Sequence, residues 1–189
     1  MITSHFIWIT LKKEIFIELF VKLLEYLKEN NIDILNFQNI LSLHTTIFYL
    51  WKDLGNKDVD MLKKDIDCFR DKLKNTRITV AWFDYFKYSK HWNQGLCFLS
   101  PNSNTNLTEI NSFFKNKFKN DIKDNKNEFK EHVTLFKIKN NLIFEVHKKN
   151  IEKIIKDFII KNKKVNIYEN INLYLVSSKF DPQIQIPIY

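Results

Sequence analysis

The chain has little cysteine, glycine and proline, with two, two and three of these residues among 189. Cys68 and Cys97 lie far apart without Cys-x-x-Cys spacing, so the sequence excludes a disulfide framework and a thiolate zinc site. No segment has the run of about 18 apolar residues needed to span a bilayer. The apolar stretch in residues 1–11 is too short, and its flanks are wrong, for a signal peptide. We therefore expect a cytoplasmic protein without a membrane segment.

Apolar residues make up 44% and charged residues 28% of the chain, which is ordinary globular usage and excludes wholesale disorder. No linker rich in Pro, Gly or Ser divides the chain, so residues 1–189 are predicted to form one domain. The net charge of +8 favours encounters with phosphate-bearing ligands. However, the abundance of Lys, Asn, Ile and Phe is typical of an AT-rich genome, so the charge only permits a nucleic-acid partner.

Strands and helices alternate along the chain, and this pattern predicts an α+β or mixed α/β fold. Strands are predicted at residues 6–11, 40–50, 77–85, 96–99, 132–138, 142–147, 171–177 and 183–189. Helices are predicted at residues 15–27, 59–73, 107–118 and 151–160. The polar and aromatic segment 86–94 is predicted to be a loop, and Asn140-Asn141 a hairpin turn.

Two strand-like segments in different halves of the chain share one local pattern, His-x-Thr followed by apolar, β-prone residues. They are His44–Leu50 (HTTIFYL) and His132–Ile138 (HVTLFKI). Side chains at positions i and i+2 of a strand project to the same face, so the His and Thr of each motif are neighbours. If the two strands lie opposite each other, two imidazoles and two hydroxyls point into one cleft.

Such a cleft suits the cleavage of a phosphodiester bond. A neutral His accepts a proton from the attacking hydroxyl or water, and a protonated His donates one to the leaving oxygen. Imidazole titrates near pH 6.5, so both forms coexist near neutrality and a bell-shaped pH profile is expected. We expect His44 and His132 to share these roles in either order, while Thr46 and Thr134 bind the phosphate. Further ligands at metal-binding spacing are lacking, so neither a metal nor another cofactor is expected.

With these two motifs the chain resembles the two-histidine (2H) phosphoesterase superfamily, whose signature is a pair of His-x-Thr/Ser motifs. It is similar in particular to the 2′-5′ RNA ligase-like or 2′,3′-cyclic phosphodiesterases. The opening strand and helix and the closing strand at residues 173–178 (LYLVSS) also resemble this family, so the likeness spans nearly all of the chain. The resemblance implies a bilobal fold in which two pseudo-symmetric β/α lobes with antiparallel sheets flank a central cleft. It also implies a nucleotide substrate: 2′,3′-cyclic phosphates, 2′-5′-linked oligoadenylates, RNA 3′ ends or cyclic nucleotide messengers.

Basic and aromatic residues outside the two His-x-Thr motifs are further candidates for binding the substrate. Many members of the family place a basic residue near the phosphate, which Lys137 would supply, and Arg70 and Arg77 are the only guanidinium candidates. Aromatic side chains stack on nucleobases in single-strand binding. Trp92, in a polar segment, is predicted to be the best exposed of these, and Tyr49 is a second candidate.

The sequence thus predicts a metal-independent phosphodiesterase that cleaves 2′-5′ or cyclic linkages in RNA ends or signalling oligonucleotides. Two alternatives stay open at this point. One is a non-catalytic RNA- or nucleotide-binding module, which binds in a salt-dependent manner without forming product. The other is an RNA end-joining ligase that uses the same histidines in the reverse reaction. The expected partner is an RNA, oligonucleotide or cyclic nucleotide substrate, and the expected state is a monomer.

Overall fold

The structure, a computed structural model, describes residues 4–50, 56–75, 82–100, 107–119, 129–178 and 186–187. Its strands are β1 (Ser4–Leu11), β2 (Leu35–Phe37), β3 (His44–Leu50), β4 (Phe83–Ser89), β5 (Gln94–Leu99), β6 (His132–Ile138), β7 (Tyr168–Ser178) and β8 (Ile186–Pro187). Its α-helices are α1 (Lys13–Glu29), α2 (Asn56–Asn75), α3 (Leu107–Lys117) and α4 (Asn141–Lys161), and a single 3-10 turn spans Ile40–Ser42.

The described strands pair in the order β4-β5-β6-β3-β1-β7-β8, with β2 also paired to β6, and every pair is antiparallel. The sheet has two halves, which meet where β3 and β6 pair. A single registered pair, Thr45 opposite Val133, joins them. The strands β2, β4, β5 and β6 therefore form one lobe, and β1, β3, β7 and β8 form the other.

Each lobe buries its sheet beneath two helices. Phe16 of α1, Phe83 of β4 and Phe158 of α4 meet with ring centroids 5.6 to 6.0 Å apart, which seals the first lobe. In the second lobe, Phe114 of α3 stacks on Phe48 of β3 at 5.8 Å, and α2 packs along β7. The α+β class and the two-lobed arrangement predicted from the sequence are confirmed.

The structure corrects the prediction of a strand at residues 142–147, because this segment is the first part of α4. The helix begins after Asn140, whose side-chain oxygen accepts hydrogen bonds from the backbone N–H groups of Leu142 and Ile143. Its buried residues recur at helical spacing: Phe144, Ile151, Ile155, Phe158 and Ile159. The apolar run after Asn140 suggested a strand, but the N-cap and the packing of a helical face against α1 and β4 decide the outcome.

The predicted loop at residues 86–94 is also wrong for most of its length. Strand β4 continues to Ser89, only residues 90–93 form the turn, and β5 begins at Gln94. The short strand β2 was not predicted, and it pairs with the carboxyl end of β6. Strand β3 begins at His44 rather than at residue 40. Residues 76–81 and 120–128, and all of 183–189 except Ile186–Pro187, lie outside the described part of the chain.

Gly95 lies where the backbone of β5 touches a buried ring. A Cβ atom at this position would lie 2.4 and 2.5 Å from two ring carbons of Phe136, which is fully buried. Overpacking of this kind costs about 1–3 kcal/mol. We expect Gly95→Ala to lower the free energy of unfolding by that amount in urea denaturation. Combining it with Phe136→Leu should cost less than the two single changes together, and strict additivity would contradict the close contact.

Candidate active site

The two His-x-Thr motifs lie at the junction of the lobes, since β3 begins at His44 and β6 begins at His132. In an antiparallel pair, the register that sets Thr45 opposite Val133 also sets the His of each motif across from the Thr of the other. The side chains of Thr45 and Val133 are fully buried, so their neighbours in the strands project to the other side of the sheet. We call this side the histidine face; it carries His44, Thr46, His132 and Thr134.

Each motif has a bulge directly after its Thr. In β3 the bulged residue is Ile47, because two consecutive residues of β1 pair with its neighbours on either side. In β6 the bulged residue is Leu135, because two consecutive residues of β5 pair with its neighbours. The bulge shifts the alternation of faces by one, which sets Tyr49 and Lys137 on the histidine face. Residues 44–49 and residues 132–137 have the same burial pattern. In each segment the second, fourth and fifth residues are buried and the other three are half-buried.

Two contacts that the sequence did not predict support β3. The side-chain amide of Asn111 in α3 donates a hydrogen bond to the carbonyl oxygen of the bulged Ile47 at 2.6 Å. On the buried side, the hydroxyl of Tyr168 donates to Oγ1 of Thr45 at 3.3 Å. Burial raises the pKa of Tyr168, so this hydroxyl stays protonated and donates. Neither contact has a local sequence signal, because both partners are distant in the chain.

The two imidazoles are held in the same way. Nδ1–H of His44 donates to the carbonyl oxygen of Ser42 at 2.7 Å, and Nδ1–H of His132 donates to that of Lys130 at 2.8 Å. A carbonyl oxygen only accepts, so the proton of each neutral ring lies on Nδ1 and the lone pair lies on Nε2. Nε2 is therefore the atom through which each ring can exchange a proton with a bound molecule.

The electrostatics favour a neutral His44. Burial, together with a smaller effect of the nearby His132, lowers the pKa of His44 to about 4, against the opposing effect of the Ser42 carbonyl. Burial also lowers the pKa of His132, and the Lys130 carbonyl opposes this shift. A positive charge on His132 disfavours a positive charge on His44, so His44 is the ring that stays neutral when His132 is protonated.

Trp92, a predicted base-stacking residue, is not brought to His132. It lies exposed in the turn of the β4–β5 hairpin, two residues before Gln94, which pairs with Lys137. His132 pairs with Phe98 at the opposite end of β5. Gln94 and Phe98 are four residues apart along β5, which corresponds to about 13 Å. Only a substrate that extends along the hairpin would reach Trp92.

The arginine candidates also differ from the prediction. The guanidinium of Arg70 donates to the carbonyl oxygen of Leu173 at 2.7 and 3.1 Å and to Asp67 at 3.1 Å. It therefore holds β7 against α2 and is not directed by these contacts to a phosphate. Arg77 lies outside the described residues.

Across the described ranges, no group of three or more His, Cys, Asp or Glu side chains is arranged to hold a metal ion. Burial raises the pKa of the Cys97 thiol, which keeps it protonated and unreactive. Of the helices in the described part of the chain, none is long and apolar enough to cross a membrane.

No protein-family model and no curated protein sequence matches this chain. Its structure is similar to that of E. coli LigT complexed with 3′-AMP, with a TM-score of 0.57 and 12% sequence identity. That likeness covers 100% of this chain and 97% of LigT. The structure is also similar to Kluyveromyces marxianus Usb1 with uridine monophosphate, with a TM-score of 0.53 and 9% identity over 98% of each chain. At these identities the likeness establishes the fold, and it extends over the whole chain.

Proposed function

Because the chain has the fold of the two-histidine phosphoesterases, we propose that it is a metal-independent phosphodiesterase. Its substrates are 2′-5′ or cyclic phosphodiester linkages in RNA ends or signalling oligonucleotides. One observation carries the proposal: two His-x-Thr strands meet at the Thr45–Val133 pair and present both imidazoles on one face, each with the lone pair of its neutral form on Nε2. The 3′-AMP bound to LigT and the uridine monophosphate bound to Usb1 support a nucleotide as the substrate.

The two histidines divide the proton transfers. His44, whose pKa is lowered to about 4, is neutral near pH 7 and acts as the general base. Its Nε2 takes the proton as the attacking oxygen forms a bond to phosphorus. His132 in its protonated form donates a proton from Nε2 to the leaving oxygen as the old P–O bond breaks. Proton exchange with solvent then restores both rings.

The remaining residues of the histidine face hold the phosphate and the nucleoside. The hydroxyls of Thr46 and Thr134, each across from a histidine, donate hydrogen bonds to the non-bridging oxygens. The positive charge of Lys137 stabilises the charge that develops on the phosphate in the transition state. Tyr49 occupies the equivalent position of β3 and contacts the base. The bulges support the last two roles, because Tyr49 and Lys137 follow them on the histidine face.

A cleavage panel in excess EDTA tests the proposal. It contains 2′,3′-cyclic nucleotides, 2′-5′ and 3′-5′ oligoadenylates, and cyclic di- and trinucleotides, with products separated by chromatography. We expect the wild-type protein to hydrolyse one linkage class. Salt-dependent binding without product would favour a binding module instead. Joined product from 2′,3′-cyclic phosphate and 5′-hydroxyl ends would favour a ligase, and activity that requires an added divalent cation would contradict metal independence.

A further inference from the structure

Helix α1 has an exposed stripe of residues in addition to the face that packs on the sheet. Its buried face consists of Phe16, Leu19, Phe20, Leu23 and Leu27. Its exposed stripe, which we call the α1 seam, consists of Glu14, Ile17, Val21, Leu24 and Lys28. Spacings that alternate between three and four residues form the contact line of two paired helices. The apolar members of the seam, Ile17, Val21 and Leu24, are 50%, 45% and 52% exposed.

The α1 seam is left uncovered by the elements that pack against α1 on either side. On one side α4 approaches, and Nζ of Lys161 lies 2.8 and 2.6 Å from the carboxylate oxygens of Glu18. On the other side the ring of Phe20 contacts that of Phe37 in β2 at 5.1 Å, and the 3-10 turn after β2 also packs against α1. This turn carries Leu41, which is 71% exposed and adds apolar surface there. A contiguous exposed apolar stripe is typical of a contact surface for another protein chain.

The charges at the two ends of the seam identify the partner. Glu14 lies in the first turn of α1 and Lys28 in the last. When two copies of the seam run antiparallel about a two-fold axis at Val21, Glu14 of each copy faces Lys28 of the other. Ile17 of each copy then faces Leu24 of the other, and Val21 faces its own equivalent. A parallel arrangement would set Glu14 against Glu14 and Lys28 against Lys28, and this repulsion disfavours it.

The helix dipole alone does not account for the seam. An acidic residue in the first turn and a basic residue in the last turn stabilise any helix, but this effect gives no reason for the exposed apolar side chains between them. Glu18 and Glu25 flank the seam on one side and would approach each other in the antiparallel pair. Lys22 and Lys161, at 3.0 and 2.6 Å from Glu18, offset its charge there. A second copy of this chain is therefore the partner that the seam fits.

We propose that the chain forms a two-fold symmetric dimer in which the α1 seams of two copies pair in antiparallel orientation. This dimer goes beyond the proposed function and does not depend on it, and it differs from the monomer expected from the sequence. Because the two-fold axis uses the same seam on both copies, association stops at the dimer. Helix α1 covers the buried side of the sheet, so the histidine face of each copy stays open to its substrate. The seam is only about 21 Å long, so the dissociation constant is expected in the micromolar range.

Sedimentation equilibrium of the full chain, at concentrations from about 1 μM to about 1 mM, tests the dimer. We expect the wild-type protein to change from monomer to dimer within this range. Val21→Glu sets two carboxylates against each other at the two-fold axis and should raise the dissociation constant by about 100-fold or more. Val146→Glu is the matched control, because Val146 is 77% exposed on α4, outside the seam, and this variant should dimerise like the wild type. Circular dichroism and urea denaturation check that each variant is folded.

A charge exchange between the two ends of the seam tests the antiparallel orientation. Glu14→Lys alone and Lys28→Glu alone each set like charges together at both ends of the pair, and each should weaken the dimer about 10-fold. In an equimolar mixture of these two variants every end contact joins opposite charges again, so the mixture should dimerise about as tightly as the wild type. A wild-type protein that stays monomeric up to about 1 mM would overturn the dimer. Equal weakening by Val146→Glu, or a mixture that dimerises no more tightly than the single variants, would overturn pairing through the seam.

Discussion

Replacing either motif histidine by alanine is expected to lower kcat/KM by about 10²- to 10⁴-fold, the usual contribution of a positioned acid or base. In His44→Ala the nucleophile keeps its proton, and in His132→Ala the leaving oxygen departs as an unprotonated alkoxide. Both side chains are half-buried on the histidine face, and their ring hydrogen bonds run to carbonyl oxygens two residues away. Removal of the rings should therefore leave the fold intact, which circular dichroism and urea denaturation will check.

His91→Ala is the matched control for these variants. His91 is exposed in the turn of the β4–β5 hairpin, away from the β6 residues that pair near His132. It should retain the wild-type rate. The double variant His44→Ala, His132→Ala should be only slightly slower than the slower single variant, because residues that act as a unit do not contribute additively. Near wild-type activity in either single variant would contradict acid and base roles for the pair.

The pH dependence of kcat/KM is expected to be bell-shaped, with its maximum on the acid side of neutrality. The base must be neutral, so activity rises with pH as His44 deprotonates through its pKa of about 4. The acid must be protonated, so activity falls as pH rises through the pKa of His132, which burial lowers from its ordinary value of 6.5. On each side of the maximum, kcat/KM should change about tenfold per pH unit. A bound phosphate anion stabilises both imidazolium forms, so the profile of kcat should lie at higher pH.

The profile is measured on the linkage that the wild-type protein cleaves, at constant ionic strength. His44→Ala should lose the acid limb and keep the alkaline limb, because only the second reports His132. Activity that rises steadily into the alkaline range would show that no protonated histidine is required, and so would exclude His132 as the acid.

The two strands of the candidate site could be predicted from the sequence because their signal is local and repeated. His-x-Thr before an apolar run occurs twice, and strand alternation alone sets each His beside its Thr. Tyr49 and Lys137 show the limit of this reasoning, because simple alternation would set them on the opposite face from the histidines. The bulges at Ile47 and Leu135 reverse that outcome. A bulge depends on the partner strand, which the sequence of one strand does not reveal.

The other differences have the same physical cause. Residues 142–147 contain the apolar and β-branched residues of a strand, but the Asn140 cap and the burial of Phe144 and Ile151 make them helical. Trp92 is exposed, as its polar surroundings predicted, but hairpin pairing sets it at the far end of β5 from His132. The apolar residues of the α1 seam could not be told from the core residues of α1 in the sequence, because both recur at three-to-four spacing and only packing against the sheet separates them.

The two-histidine mechanism is tested most directly by varying the leaving group. The wild type, His44→Ala and His132→Ala are compared on the cleaved nucleotide ester and on its 4-nitrophenyl ester, whose leaving group departs without a proton. We expect His132→Ala to recover most of its lost activity on the nitrophenyl ester, because that ester needs no acid, whereas His44→Ala should stay slow on both substrates. Recovery by His44→Ala instead would contradict the assigned roles, and full activity of both variants on the natural ester would contradict catalysis by the two histidines.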